Sequence, residues 1–213
     1  MGGGSGVSST TTQSGLAPNQ YYGNRWIIYS ALGEPVIRAE DWHLRTSGLV
    51  EKPLDLSYDE MQKLPQIKFT KDFQCVTRWS IKDVLWEGVA FTEIAKRTGV
   101  KPDAKWVMFR CADQYTAPVP LEDAMSDDSI IAFRMNGRPI PQQQGYPCRP
   151  FIGHLYGWKS AKWMDEIAFL PEYEDGYWEM YGYNERANIW DEERFKGQYG
   201  KQQRHKSTGF AQI

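Results

Sequence analysis

Apolar and polar positions along the chain define a series of short segments. Arg25 to Tyr29 (RWIIY) reads as a short strand, and order is expected to begin there. Asp41 to Ser47 (DWHLRTS) alternates with the two-residue period of a half-buried strand, which Gly48 and Pro53 limit. Ser57-Tyr58-Asp59-Glu60 is a capping-box pattern, predicting a short helix with Met61 and Leu64 on its apolar face and Pro65 as its stop. Ile67 to Val76 (IKFTKDFQCV) predicts a strand that delivers Cys75 near its end. Phe91 to Thr98 predicts a second short helix stopped at Gly99, and Lys105 to Cys111 (KWVMFRC) another strand.

Further along, Ile130 to Met135 and Pro139-Ile140 flank Asn136-Gly137, a pair suited to a type I′ hairpin because both residues tolerate positive φ. Gly145 to Gly157 is rich in Gly and Pro and reads as a loop. Trp163 to Leu170 reads as a strand or a short helix, ended by Pro171. Short strands interleaved with a few short helices indicate a mixed α+β domain. Three regions are expected: a flexible arm over 1–24, the folded domain over 25–195, and a polar tail over 196–213.

At 213 residues and 41% hydrophobic content, one domain has enough apolar surface to fold without a disulfide or structural metal. A net charge of −2 argues against duplex nucleic acid as a partner, since phosphate neutralisation needs a basic excess. No apolar run approaches the roughly 18 residues of a membrane span. The opening MGGGSGVSSTTTQSG has neither the basic nor the apolar stretch of a secretory leader, and no twin-arginine signal is seen. A soluble, cytoplasmic protein is the expectation. Nine Trp and twelve Tyr point to a large aromatic core or to a deep pocket with aromatic walls.

Cys75, Cys111 and Cys148 are far apart with no C-x-x-C pair, which is poor evidence for disulfides or a tetrahedral zinc site. Alone, a Cys at the end of an apolar strand is a small buried hydrophobe. Arg78 three residues on and Lys71 four back bring positive charge that favours a thiolate, the ligand a soft transition metal takes. Cys111 and Cys148 lack such company and read as packed structural residues.

The segment Gln74-Cys75-Val76-Thr77-Arg78-Trp79-Ser80, followed by Trp86-Glu87-Gly88-Val89, resembles the metal-ligand segment of the sulfite-oxidase-type molybdopterin-dependent oxidoreductases. The resemblance continues through Ile131 to Pro139, Gly145 to Arg149 (GYPCR), His154 to Trp163 (HLYGWKSAKW), Gly176 to Glu179 (GYWE) and Gly182 to Ala187 (GYNERA), from about Arg25 to Phe195 in the family's order. It implies a sulfite-oxidase-like fold of mixed β-sheets with short helices. It also implies a molybdenum–molybdopterin cofactor bound through Cys75, with tungsten accepting the same soft ligands.

By the same resemblance, Arg149 and the Ser160-Ala161-Lys162 stretch bind the cofactor's phosphate. Without it, Lys162 is a solvated surface charge. Gln144 stands where sulfite oxidases carry a pterin-contacting His. Asp113 falls near a cofactor-contacting Asp, and its plainer role is a turn residue capping its own backbone. Tyr29 falls where those enzymes carry an Arg-Asn-His contact. His154 is expected to position its loop. Tyr183 matches an active-site Tyr that donates a hydrogen bond beside the metal; its plainer role is core packing in an aromatic cluster.

Departures from the pattern bear on substrate. Sulfite is a dianion that family enzymes surround with arginines, whereas this chain offers Tyr29-Ser30 at one such place and Arg78-Trp79-Ser80 at another. Arg78 is left as the catalytic cation. The expectation is two-electron oxygen-atom transfer on a small molecule (a sulfoxide, an N-oxide or a sulfur oxyanion) with electrons exchanged through a separate protein. One rival is a non-catalytic module that retains the cofactor pocket; another is an aromatic-rich ligand-binding domain, which leaves the ordered motifs unexplained.

Overall fold

The computed structural model describes residues 15–197. In chain order the first half holds β1 (Tyr21–Tyr22), β2 (His43–Gly48), β3 (Asp55–Ser57), α1 (Tyr58–Lys63), β4 (Gln66–Gln74), β5 (Trp79–Ala90) and α2 (Phe91–Thr98). The second half holds β6 (Trp106–Cys111), β7 (Thr116–Pro120), α3 (Leu121–Ala124), β8 (Ser129–Met135), β9 (Arg138–Pro139), β10 (Arg149–Ile152) and β11 (Met164–Leu170).

The strands form two sheets, giving the expected α+β architecture. A six-stranded sheet runs β1-β5-β8-β10, with β4 also on β5 and β9 on β8. A five-stranded sheet runs β3-β2-β11-β6-β7. Between them lies the main core, with Leu44, Phe109 and Ile167 from the five-stranded sheet, Ile131 and Phe133 from β8, and Phe91 and Ile94 from α2. The intervening β8 positions Ile130 and Ala132 point the other way, into a second cluster with Phe73, Trp79, Trp86 and Phe151. Strand alternation thus loads both faces of the six-stranded sheet, so Ile130 to Phe133 of β8 reads as an unbroken apolar run.

Several local expectations hold. Ser57 caps α1 with both capping-box bonds in place, and α2 ends at Gly99 in the left-handed conformation. Asn136 and Gly137 take φ of 52° and 73° between β8 and β9. The Trp163 to Leu170 segment resolves as a strand over Met164–Leu170, β11, with Trp163 in the preceding turn.

Others are corrected. Arg25 to Tyr29 forms no strand: Ile27 and Tyr29 are 55% and 57% exposed, while Trp26 packs against Phe73 and Trp79. The neighbouring place on β5 is already taken by β1, which pairs Tyr21 with Trp79 in parallel. Residues 15–24, expected within a flexible arm, therefore include a hydrogen-bonded strand; the rest of that arm, 1–14, lies outside the described residues. Gly145 to Gly157 is not wholly a loop, because Arg149–Ile152 pairs antiparallel with β8. The longest strand, β5, gave no clear sequence signal. Its alternation breaks at Asp83, with φ 53°, and again at a register shift beside Gly88, where a Cβ would overlap the Ile131 carbonyl. Of the expected tail, Lys196 pairs with Asp175 at 2.7 Å, and residues 198–213 lie outside the described residues.

Candidate active site

Cys75 sits at the mouth of the β4–β5 hairpin. A register shift between Lys71 and Phe73 turns the end of β4 inward, so Asp72, Phe73 and Gln74 are all buried where the strand had alternated. Asp72, the residue at the shift, accepts from the Asp83 amide at 2.8 Å and the Tyr22 hydroxyl at 2.7 Å. Cys75 N–H then donates to Trp79 O at 2.9 Å and Arg78 N–H to Cys75 O at 3.0 Å, closing a three-residue loop with Arg78 at φ 79°.

The thiol is half-buried, and its sulfur lies 3.3 Å from the Thr77 hydroxyl. Burial pushes the thiol above its usual range, while the Thr77 hydrogen bonds and the charge of Arg194 oppose that push. Of the two cations expected beside Cys75, Lys71 is engaged elsewhere and Arg78 stays on the turn, near Arg194. Lys71 pairs with Asp128 at 3.4 Å, and Arg78 is exposed at the hairpin tip. Their sequence spacing placed them on the same strand and turn without fixing where long side chains go. Cys111 and Cys148 are buried in the main core, as expected of packed cysteines.

Tyr183 lies over the same region, its ring 5.2 Å from Trp158 and 5.0 Å from Trp178. Burial raises its phenol, and the nearby Cys75 and Tyr29 add to that. Among the described residues, its hydroxyl makes no hydrogen bond to the protein. Tyr29 is exposed with its ring 6.0 Å from Trp178, so it reaches the site's rim from an irregular segment.

A second group of predicted residues gathers behind this wall. Lys162 Nζ donates to Tyr29 O at 2.8 Å, Ser30 Oγ at 2.6 Å and Gln143 O at 3.2 Å, and lies 4.4 Å from the Trp163 ring centroid. Burial and then the neighbouring Arg149 lower its pKa to about 8. Lys162 is therefore no solvated surface charge. Gly145, at φ 104°, brings its loop so near that a Cβ would meet Lys162 Cα at 2.8 Å. Gln144 Oε1 is buried without a protein partner among the described residues. Asp113 Oδ1 accepts from Tyr115 N–H at 3.0 Å, capping its own turn; burial raises its pKa, opposed by that hydrogen bond and more weakly by the charge of Lys162.

Arg149 departs from expectation. It is 5% exposed, donating to Ser160 Oγ at 2.8 Å, Ser160 O at 2.5 Å and Gln144 O at 3.0 Å. Burial lowers its pKa to about 10, so it stays charged at neutral pH. It braces two loops from within rather than presenting an open fork. Ser160 likewise faces inward, its hydroxyl donating to Pro150 O, and Ala161 is buried beside it.

Sequence reasoning passed over several supporting residues. Lys159 is buried against Glu179 at 2.6 Å, donates also to Pro118 O and Glu185 O, and Trp158 Nε1 meets the same Glu179 oxygen at 2.9 Å. Burial lowers the Lys159 pKa, and Glu179 opposes this. Lys159 stood inside a quoted motif, but no local rule marks a lysine as buried. His154 does position its loop, bonding Asp123 at 2.9 Å and Asp128 at 3.1 Å.

Comparison with known proteins places this geometry in context. The family model for the oxidoreductase molybdopterin binding domain matches residues 31–178. The chain is 38% identical over 154 residues to an uncharacterized oxidoreductase, YuiH, of Bacillus subtilis, covering 72% of this chain and 78% of that protein. It is 30% identical over 158 residues to the protein-methionine-sulfoxide reductase catalytic subunit MsrP of Xanthomonas campestris, covering 67% of this chain and 49% of that protein. Among solved structures, the sulfane dehydrogenase SoxCD of Paracoccus pantotrophus shares the fold, with a TM-score of 0.61 at 24% identity over 66% of this chain and 41% of that one.

Proposed function

The chain belongs to the oxidoreductase molybdopterin-binding domain family, and from that premise we propose that it removes oxygen from a neutral sulfoxide or N-oxide by two-electron transfer at a metal held by Cys75. Molybdenum is the metal proposed; tungsten accepts the same ligands. A separate electron-transfer protein is the proposed donor. Among the described residues, no helix is long and apolar enough to cross a membrane.

The residues present fit a phosphate-tailed cofactor. Gln144 Oε1 is an orphaned buried acceptor. The N–H groups of Ala161 and Lys162 donate to no protein acceptor among the described residues, and the Lys162 ammonium, its N–H groups bonded to Tyr29, Ser30 and Gln143, adds positive charge on the same residue pair. Backbone N–H groups with an adjacent cation are the donor set a phosphate takes. Asp113 and Tyr29 neighbour Lys162. When bound, the group supplies the redox chemistry. Cys75 supplies a soft thiolate ligand from a rigid hairpin.

The observation that carries the substrate reading is the wall beside Cys75. Tyr183, Trp178 and Trp158 form it, while Arg149, Lys159 and Arg194 are buried against internal partners. Of the cations around Cys75 only Arg78, exposed at the hairpin tip, lacks an internal partner among the described residues, so a dianion entering here sheds hydration with a single guanidinium at the rim to replace it. A neutral S–O or N–O dipole needs one donor, which the Tyr183 hydroxyl provides, and the aromatic wall keeps water from competing. MsrP, by its name a methionine-sulfoxide reductase subunit, supports this class.

The test uses full-length protein from a cofactor-competent host, assayed for metal and for turnover of sulfoxides, N-oxides and sulfite with artificial electron carriers. We expect near-stoichiometric metal, loss of the thiolate-to-metal absorbance in Cys75→Ser, and sulfoxide turnover that falls about 100-fold in Tyr183→Phe with metal content unchanged. Metal below about a tenth of an equivalent would refute the cofactor assignment. Sulfite turning over faster than every S-oxide and N-oxide would refute the substrate reading, and full metal with no turnover would leave the non-catalytic module.

A further inference from the structure

The segments at either end of the described chain, 15–23 and 183–196, fall outside the family-matched stretch of 31–178, yet both close on the Cys75 hairpin. From the N-terminal side, the buried Gln74 side chain accepts from Ala17 N–H at 3.0 Å and donates to Gly15 O at 3.1 Å. Gln20 Nε2 donates to Cys75 O at 3.0 Å, and its own Oε1 accepts from Ser80 Oγ at 3.3 Å. Tyr21 N–H donates to Arg78 O at 2.9 Å and Gly23 N–H to Ser80 O at 2.8 Å. From the C-terminal side, Arg194 Nη1 donates to Val76 O while its guanidinium lies 4.7 Å from the Tyr156 ring centroid. The two segments also join each other through Asn19 Nδ2 and Glu192 Oε1 at 2.6 Å.

We propose that Gln20 and Arg194 are positioning residues that fix the backbone of the Cys75 hairpin, so that the two terminal segments set the direction and exposure of the thiol. The inference rests on the reading of Cys75 as the metal ligand only for its functional meaning. Three of the four carbonyls from Cys75 to Arg78, those of Cys75, Val76 and Arg78, each receive a donor from a terminal segment. Arg78 is held in the left-handed region, which is unfavourable for a non-glycine residue and needs surrounding bonds to persist. Rotating the Cys75 peptide plane would swing its side chain, and displacements near 1 Å are enough to weaken a catalytic geometry. A strap serving the fold alone could be apolar. Here a buried amide and a buried guanidinium, at 9% and 4% exposure, both terminate on this one turn.

The experiment follows thiol labelling of the cofactor-free, full-length protein by an aromatic disulfide. Cys111 and Cys148 are 6% and 0% exposed, so the fast reaction reports Cys75. Gln20→Leu and Arg194→Met are expected to change the labelling rate at least about tenfold, a change of about 1.4 kcal/mol in local opening. Arg194→Lys should restore part of it. In metal-loaded protein the same variants should shift the thiolate-to-metal absorbance maximum at unchanged metal content. Asn19→Ala, which cuts the link between the segments without touching the hairpin, should leave labelling at the parent rate. Gln20→Asn, which keeps the amide but withdraws it by one methylene, serves if Gln20→Leu fails to fold. Labelling within twofold of the parent in the Gln20 and Arg194 variants overturns the proposal, as does an equal effect of Asn19→Ala. A failed metal analysis with altered labelling would instead sink the cofactor reading and leave the clamp standing.

Discussion

His154 offers a stability test whose size follows from the geometry. Its imidazole is held between Asp123 and Asp128, which are in turn bonded by Arg186 at 2.8 Å and paired with Lys71 at 3.4 Å. Burial works against the imidazolium, but the two carboxylates outweigh it and raise the pKa from 6.5 to about 9. At ~1.4 kcal/mol per pH unit, that gap is worth about 3 kcal/mol to the folded state. The side chain is 20% exposed, so solvent screening takes only a modest part of this. The folded form holds the proton more tightly than the unfolded chain. The contribution is therefore complete below about pH 6.5, shrinks as pH rises, and is gone above about pH 9. Urea unfolding of the parent and His154→Gln, at steps from about pH 6 to about pH 9.5, isolates it. The parent should lose about 3 kcal/mol more than the variant across that window. Parallel curves, differing by under about 0.5 kcal/mol, would show that the imidazole is not held as a cation there.

Two further substitutions test the packing around the site. Lys159→Met strands the Glu179 carboxylate in a buried setting and should cost about 3–5 kcal/mol in urea unfolding, most of it recovered in Lys159→Met with Glu179→Leu. Gly88→Ala places a Cβ against the Ile131 carbonyl at the β5–β8 register shift, and no rotamer can relieve backbone overlap. A loss of about 1–3 kcal/mol is expected, and an unchanged melting midpoint would show that the sheet yields there.

The comparison of sequence with structure is most instructive at individual residues. Lys162 and Gln144 were found through motifs, and the fold brings them together beside Gly145. Arg149 came from the Gly145 to Arg149 motif but faces inward, because β10 pairs with β8 and carries its side chain under Ser160. Asp113 keeps the turn-capping bond that its position between Ala112 and Gln114 predicts. Lys71 and Arg78 lie near Cys75 in sequence, yet the cation whose charge acts on the thiol is Arg194, more than a hundred positions away.

By itself the sequence determined what neighbours along the chain decide. The capping box starts α1, Gly99 stops α2, Asn136-Gly137 turns a hairpin, and an apolar strand delivers Cys75 near its end. Those features depend on backbone dihedrals and side-chain periods of a few residues, which are written locally. Tertiary structure decided the rest: which strands share an edge, and which charges are buried with which partners. Arg25 to Tyr29 lost its strand because β1 already occupied the place on β5, and Arg149 became a brace because its strand paired inward. Burial of a charge is settled by the groups that meet it from distant parts of the chain, so Gln20, Lys159, Glu179 and Arg194 acquire their roles only once the sheets have closed.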